Sequence, residues 1–160
     1  MVEVVPHKFK KWHIGSGKNI AAYIQVMTGN FHTDIRLANH FSGQVVNAAM
    51  KVHSKLGPGL LESAYEACLL QELKQRGLTV ESQVWLPVEY EGTVIDLGYR
   101  IDLLVENAII VELKAVEQIR SLHKAQVLSY LRLRGLRVGL LINFNTVSLK
   151  DGIQRIINGY

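Results

Sequence analysis

Apolar residues recur at helical spacing in three stretches of the chain, which predicts three main helices. The first helix spans 39–56 and is followed by the break Gly57-Pro58-Gly59. The second spans 60–76 and the third 121–134, and each ends before a glycine, the residue that often follows the last turn of a helix. These stretches define the helical layers of the predicted fold.

Apolar and polar residues alternate with a period of two between the second and third helices. This alternation predicts strands over 80–90, 94–105 and 109–115, joined by tight turns. A further apolar run over 137–144 predicts a buried strand, and 150–157 is predicted to be a short closing helix. The order α-α-β-β-β-α-β-α is typical of an α/β sandwich, in which helices flank a central sheet.

The length of 160 residues fits a single domain with a preceding segment of different character. Residues 1–33 hold four lysines and one glutamate around one short apolar run, and we predict a weakly ordered leader, with Met27 as an alternative start. Residues 34–160 form the predicted domain and hold 14 basic against 13 acidic residues. Because the domain is nearly neutral, its net charge does not by itself indicate a nucleic-acid-binding surface.

Composition excludes several classes of protein. No stretch reaches the roughly 18 consecutive apolar residues of a membrane span, and residues 1–18 lack the apolar core of a secretory signal. We therefore expect a cytoplasmic protein. The single cysteine, Cys68, excludes a disulfide framework and a cysteine-rich metal site. Since its helical neighbours Leu61, Ala64 and Leu69 are apolar, we expect Cys68 in the core.

The segment 99–114 contains two alternating strands whose pairing decides where its carboxylates lie. Pairing the apolar residues on one buried face fixes the register as Ile101 with Leu113, Leu103 with Val111, and Val105 with Ile109. This register leaves Glu106-Asn107-Ala108 as a three-residue loop, a common hairpin length. It also places Asp102 directly opposite Glu112 on the other face.

Two facing carboxylates repel each other unless a positive charge lies between them. Lys114, two residues beyond Glu112, points to the same face. Hard oxygen ligands beside a lysine can hold a divalent cation and neutralise charge on a phosphate. The alternative is an exposed sheet face on which Asp102, Glu112 and Lys114 simply contact water.

Asp102 followed by Glu112-Leu113-Lys114 resembles the Asp…(Asp/Glu)-x-Lys core of the PD-(D/E)XK nuclease superfamily, with Ile101 in the place of the proline. The segment Gly59-Leu60-Leu61-Glu62-Ser63-Ala64-Tyr65 is similar to the signature of the bacterial GxxExxY proteins. The resemblance covers roughly residues 34–157. It implies the restriction-endonuclease-like αβββαβ sandwich, with a central mixed sheet flanked by helices.

The same resemblance implies a metal-dependent nuclease that hydrolyses phosphodiester bonds. Asp102, Glu112 and the main-chain carbonyl of Leu113 would hold Mg²⁺ or Mn²⁺, which would lower the pKa of a bound water. Lys114 would position or activate that water, or offset charge on the phosphate.

Two helical residues complete the expected site. Glu62 lies in the first turn of the second helix, within its apolar stripe, and would be a third metal ligand or a water-orienting group. The alternative is favourable helix electrostatics, since a first-turn carboxylate stabilises a helix. Gln126, with Tyr130 four residues later, resembles a Gln-x-x-x-Tyr motif of recombination-type exonucleases. A surface glutamine packed on an aromatic ring is the alternative.

We expect the substrate to be nucleic acid, with DNA favoured over RNA but not distinguished from it by the sequence, and no membrane to be involved. The small size and the absence of a basic groove favour another function, a catalytically inactive nuclease fold that binds nucleic acid or a protein partner, or forms a homodimer. A response to divalent metal would separate the two.

Overall fold

The computed structural model describes residues 35–95 and 98–159. Its helices and strands are, in chain order, α1 (Ile35–Leu56), α2 (Glu62–Gln75), β1 (Val80–Trp85), β2 (Val88–Tyr90), β3 (Thr93–Ile95), β4 (Arg100–Val105), β5 (Ile109–Lys114), α3 (Ser121–Arg134), β6 (Val138–Asn143), α4 (Leu149–Gly152) and β7 (Ile153–Ile157). None of the helices in these residues is long and apolar enough to cross a membrane. The leader predicted over 1–33 lies outside the described residues, so its boundary stays a prediction.

Five strands form the central sheet in the order β1-β4-β5-β6-β7. The β5–β6 pair is parallel and the other three pairs are antiparallel, so the sheet is mixed. Helix α3 makes the crossover that joins the two parallel strands. This architecture confirms the predicted α/β sandwich, with a central mixed sheet flanked by helices.

Each of the first two predicted strands is divided in the structure. The strand predicted over 80–90 becomes β1 and β2, and the one predicted over 94–105 becomes β3 and β4. Pro87 lies between β1 and β2, and proline has no N–H with which to continue a ladder. Strands β2 and β3 then pair only with each other, as a small separate hairpin closed by Glu91-Gly92.

The closing helix predicted over 150–157 is wrong for most of its length. Only Leu149–Gly152 is helical, and Ile153–Ile157 is an edge strand that pairs antiparallel with β6. Ile153, Ile156 and Ile157 have helical spacing, which explains the prediction. The open edge of β6 overrides this local pattern, because pairing there satisfies the backbone groups of both strands.

Two hydrophobic cores lie on opposite faces of the sheet. The first core lies beneath α1, α2 and α4 and includes Val45, Tyr65, Leu69, Val80, Leu103, Val111, Leu113, Leu140 and Phe144. The second core lies beneath α3 and comprises Leu86, Ile101, Leu104, Ile110, Val127, Tyr130, Leu131, Leu136 and Leu141. Strand β5 is buried on both faces, so its even-numbered residues, including Glu112, belong to the face that α3 covers.

Cys68 is exposed, which corrects its predicted place in the core. The buried apolar stripe of α2 consists of Tyr65, Leu69 and Leu73. Cys68 lies beside that stripe, on a groove of about 300 Å³ between α1 and α2 that Lys51 and Val52 also line. Apolar neighbours along the helix therefore did not indicate the direction of the cysteine side chain.

Helix α3 packs tightly against Gly139 of β6. A Cβ atom at Gly139 would lie 2.6 Å from Cγ1 of Val127 and 3.3 Å from Cδ1 of Leu131. We predict that Gly139→Ala lowers the free energy of unfolding by about 1–3 kcal/mol, the usual cost of overpacking a core. Urea denaturation of the variant and the wild type measures the difference.

The control is the double variant Gly139→Ala/Val127→Ala, in which the truncated Val127 leaves room for the added methyl group. Its loss of stability should be smaller than the sum of the losses in the two single variants. Simple additivity would show that α3 relieves the clash by shifting as a whole, and would contradict the local account.

Candidate active site

The hairpin of β4 and β5 has the predicted register next to its loop, with Leu103 opposite Val111, Leu104 opposite Ile110 and Val105 opposite Ile109. The loop consists of the three predicted residues. Glu106 and Asn107 have positive φ angles, and the N–H of Ala108 donates to the carbonyl of Val105 at 2.9 Å. Alternation of apolar residues and loop length were therefore sufficient to fix this pairing.

The ladder ends at the Leu103–Val111 pair, so Asp102 is not paired directly with Glu112 as predicted, and its side chain bonds to the backbone of β5 instead. The N–H of Leu113 donates to Oδ2 of Asp102 at 2.8 Å. Burial raises the pKa of Asp102, while this hydrogen bond and the charge of Lys114 oppose the rise. The carboxylate is thus held against β5, next to Glu112.

The prediction that Ile101 shares one buried face with Leu103 is wrong. Leu103 packs in the first core and Ile101 in the second. Because residues two apart in a regular strand point to the same face, β4 must change face at Asp102. Strand β1 changes face at the same level, since Val80 packs in the first core and Val84 in the second.

Glu112 is the most deeply buried carboxylate of the site, with 3% of its surface exposed. Its Oε1 accepts a hydrogen bond from Nζ of Lys114 at 2.7 Å. Within the described part of the chain, its Oε2 is buried without a hydrogen-bond partner. Burial and the charge of Asp102 raise the pKa of Glu112 to about 7, in spite of Lys114. The alternative of an exposed, fully solvated sheet face is therefore wrong.

Lys114 supplies positive charge among the carboxylates of the site. Burial lowers the pKa of Lys114, but the hydrogen bond to Glu112 and the charges of Glu112, Glu62 and Asp102 outweigh it, so that the pKa is raised overall. The ammonium form is therefore the stable one at neutral pH. One cation against three carboxylates leaves the site with excess negative charge.

Glu62 reaches this site from the N-terminus of α2, on the other side of the sheet. Its carboxylate accepts a hydrogen bond from the N–H of Ala115, the residue after Lys114. Burial raises the pKa of Glu62, the charge of Lys114 opposes this, and the charge of Asp102 adds to it. The structure thus brings Glu62 together with the hairpin carboxylates, as the sequence predicted.

Tyr65 fastens the loop that precedes Glu62. Its hydroxyl group donates to the carbonyl of Gly57 at 2.7 Å and accepts from the N–H of Leu60 at 3.1 Å. Its ring stacks on Phe144, with 4.4 Å between the ring centroids. Gly59 has a φ of +99°, a conformation that favours glycine. The glycine and the tyrosine therefore fix the point at which α2 begins.

Gln126 and Tyr130 form a hydrogen-bonded pair on α3, and Tyr130 belongs to the second core. Nε2 of Gln126 donates to the hydroxyl oxygen of Tyr130 at 2.9 Å. Burial raises the pKa of Tyr130, and the charges of Glu112 and Asp102 raise it further. The charges of these carboxylates therefore act on Tyr130. Gln126 itself is half-buried and contacts the hydroxyl group of that ring, as the alternative of a glutamine packed on an aromatic ring describes, and its role in the site stays a prediction.

Gln83 of β1 belongs to the site and was missed by the sequence reasoning. Its Nε2 donates to Oε2 of Glu66 at 2.9 Å and lies 3.5 Å from Oδ1 of Asp102. The register of β1 on β4, which places Gln83 across from Asp102, would have been the signal. That pairing spans the inserted β2–β3 hairpin, and the alternating pattern alone did not reveal it.

The oxygen atoms at the end of β5 suit a hard divalent cation. Asp102 and Glu112 offer carboxylate oxygens, and one of these is buried without a donor. The carbonyl of Leu113 faces the same side as its N–H, which bonds to Asp102, because both groups of a strand residue point to one neighbour. Among the described residues, no three His, Cys, Asp or Glu side chains form a metal-binding group on their own. A cation here would therefore need main-chain or water ligands as well.

The raised pKa of Glu112 predicts how stability depends on pH. The folded state binds the Glu112 proton more tightly than the unfolded state, whose carboxyl has a pKa of 4.5. Without divalent metal, the free energy of unfolding should therefore fall as pH rises from 4.5 to about 7, by at most about 3 kcal/mol from this group. Urea denaturation across this pH range, with a chelator present, measures the slope.

Glu112→Gln removes the titrating group and should flatten this slope. The matched control is Glu81→Gln on β1, where the carboxylate is exposed and its loss should leave the slope as in the wild type. If the Glu112→Gln curve ran parallel to the wild-type curve, the burial of an unsatisfied carboxylate would not govern the pH dependence.

Comparison with known protein families agrees with this geometry. A family model described as PD-(D/E)XK nuclease superfamily matches residues 39–156, which contain every predicted site residue. No curated protein and no solved structure shows a significant match. The superfamily is characterised by a nuclease-type domain that generally uses divalent metals and acts on nucleic acid. From the matched range and the mixed sheet flanked by helices, the chain belongs to the PD-(D/E)XK nuclease superfamily.

Proposed function

We propose that the chain is a nuclease of the GxxExxY type that depends on a divalent metal and cleaves DNA. The observation that carries this proposal is Oε2 of Glu112, which is buried without a partner next to Asp102. A buried carboxylate oxygen without a donor is a group that a bound cation would satisfy. Asp102, Glu112 and the carbonyl of Leu113 would hold Mg²⁺ or Mn²⁺. When bound, the ion would polarise a phosphoryl oxygen and lower the pKa of a water.

Lys114 has the charge and the position to act on the substrate. Its Nζ is hydrogen-bonded to Glu112, and the neighbouring carboxylates keep it protonated. A phosphodiester that enters the site brings negative charge close to this ammonium group. In the proposed reaction Lys114 offsets that charge, or orients the water that attacks phosphorus.

Glu62 and Gln126 take supporting roles in the proposed site. Glu62 is a carboxylate with a raised pKa, held at the end of β5 by the N–H of Ala115, and it can accept a hydrogen bond from the attacking water. Gln126 holds the hydroxyl group of Tyr130 and thereby limits the directions in which that hydroxyl can donate. Both residues enclose the site from helices on opposite faces of the sheet.

The GxxExxY assignment rests on what its residues do in this chain. Gly59 supplies the positive φ angle, Tyr65 fastens the loop, and Glu62 between them enters the site. The signature therefore corresponds to a single structural unit, a loop that directs the carboxylate of Glu62 into the site. This physical role supports the assignment independently of the hairpin motif.

Nucleic acid as the substrate agrees with the exposed cations close to the site in sequence. Arg100 begins β4 two residues before Asp102, and Arg120 and Lys124 flank the start of α3. Such side chains contact phosphates without reading sequence. Because each such contact releases counterions from the nucleic acid, we expect binding to weaken as the salt concentration rises. Parallel assays on DNA and RNA test the proposed preference for DNA.

Asp102→Asn tests the metal site directly. Removing one of two neighbouring carboxylates should raise the free energy of unfolding of the metal-free protein by about 0.5–1 kcal/mol, because it relieves their repulsion. The same change should abolish the rise in melting temperature that excess Mg²⁺ or Mn²⁺ causes in the wild type. It should also abolish cleavage of DNA. Thermal melting with and without metal, together with a cleavage assay, measures all three effects.

The control is again Glu81→Gln, which removes an exposed negative charge from the same sheet and should keep both the metal response and cleavage. If the wild type and Asp102→Asn melted identically in excess metal and neither cut DNA or RNA, the nuclease proposal would fail. A catalytically inactive module that binds nucleic acid or a protein partner would then take its place.

A further inference from the structure

Gln83 has an unusual backbone conformation for its position. Four non-glycine residues of the described chain have positive φ angles: Gln83, Glu91, Glu106 and Asn107. The last three lie in hairpin turns, where such angles are common, whereas Gln83 lies in the middle of β1 with a φ of +53°. A non-glycine residue held in this region costs free energy, and such residues cluster at functional sites.

The strained residue coincides with the change of face in the sheet. Val80 of β1 packs in the first core and Val84 in the second, with Gln83 between them. Asp102, at the position across from Gln83, marks the same change in β4. Gln83, with its left-handed backbone conformation, therefore lies across from Asp102, the residue at which β4 changes face.

The side chain of Gln83 links Asp102 to α2. One amide group donates to Glu66 at 2.9 Å and reaches Asp102 at 3.5 Å. The other oxygen of Asp102 is bonded to the N–H of Leu113 at 2.8 Å. The carboxylate is thus held from two sides, and Glu66, the outer partner, lies one helical turn after Glu62.

We propose that Gln83 is a positioning residue that sets the orientation of the Asp102 carboxylate by linking it to Glu66 of α2. The inference rests on the proposed function, in which Asp102 is a metal ligand. Partners of this kind fix the rotamer of a ligand and raise metal affinity without touching the metal. The helix that carries Glu62 would then also hold Asp102 in place, so that one element aligns two carboxylates.

The experiment compares Gln83→Gly with Glu91→Gly in the full chain. Both changes place glycine at a positive φ angle, and so both should leave the melting temperature unchanged or slightly raised. Only Gln83→Gly removes an amide next to Asp102. We expect it to weaken Mn²⁺ binding, measured by calorimetry, by about tenfold or more. In the metal-free protein it should also speed hydrogen exchange of the Leu113 N–H, measured by NMR, because that hydrogen bond loses its support.

A second variant, Gln83→Asn, keeps an amide and tolerates the left-handed conformation but is one methylene shorter. It should show the same weaker Mn²⁺ binding and faster Leu113 exchange. Unchanged Mn²⁺ affinity and unchanged Leu113 exchange in both Gln83 variants would overturn the inference. If the wild type itself bound no Mn²⁺, the metal site would fail, but the Leu113 exchange would still decide whether Gln83 orients Asp102.

Discussion

The burial of neighbouring carboxylates, complete for Glu112 and partial for Glu62 and Asp102, is the constraint on which the structure around the site depends. Burial raises the pKa values of Glu62, Asp102 and Glu112, and the charge of Asp102 raises those of Glu62 and Glu112 further, while the charge of Lys114 opposes the rise in all three. Asp102 is held by the backbone of β5, and Glu112 by Lys114 of its own strand. By itself, such an arrangement lowers the stability of the folded protein. It persists because packing in the two cores and pairing in the sheet fix the positions of the carboxylates.

Much of the fold and the hairpin part of the candidate site could be predicted because the determining interactions are local. The register next to the hairpin loop follows from apolar alternation and a three-residue connection, which brings Asp102 and Glu112 to the same end of the sheet. Helix α3 has the predicted bounds, since its start and its glycine stop lie in the neighbouring sequence. Glu62 was recognisable because a carboxylate within an apolar stripe is out of place.

The features that could not be predicted all depend on residues distant in sequence. Ile101 moves to the second core because β4 follows the face change of β1, which is paired with it across an inserted hairpin. Strand β7 forms because β6 offers an open edge. Hydrophobic periodicity describes a single segment of the chain. The face change of β4 and the formation of β7 each depend on pairing between two segments. Gln83 was not predicted for the same reason, since its partner Asp102 is 19 residues away in sequence.

The stacking of Tyr65 on Phe144 has a consequence for when the site can exist during synthesis. Glu62, Asp102, Glu112 and Lys114 all precede Phe144 in the chain, yet the loop that aims Glu62 rests on that ring. The N–H of Phe144 also bonds to the carbonyl of Lys114 at 2.8 Å. A nascent chain that has not yet released β6 from the ribosome therefore contains Glu62 but lacks the ring and the backbone bond that support its position. The carboxylates of the candidate site are thereby brought together only when β6 has joined the sheet.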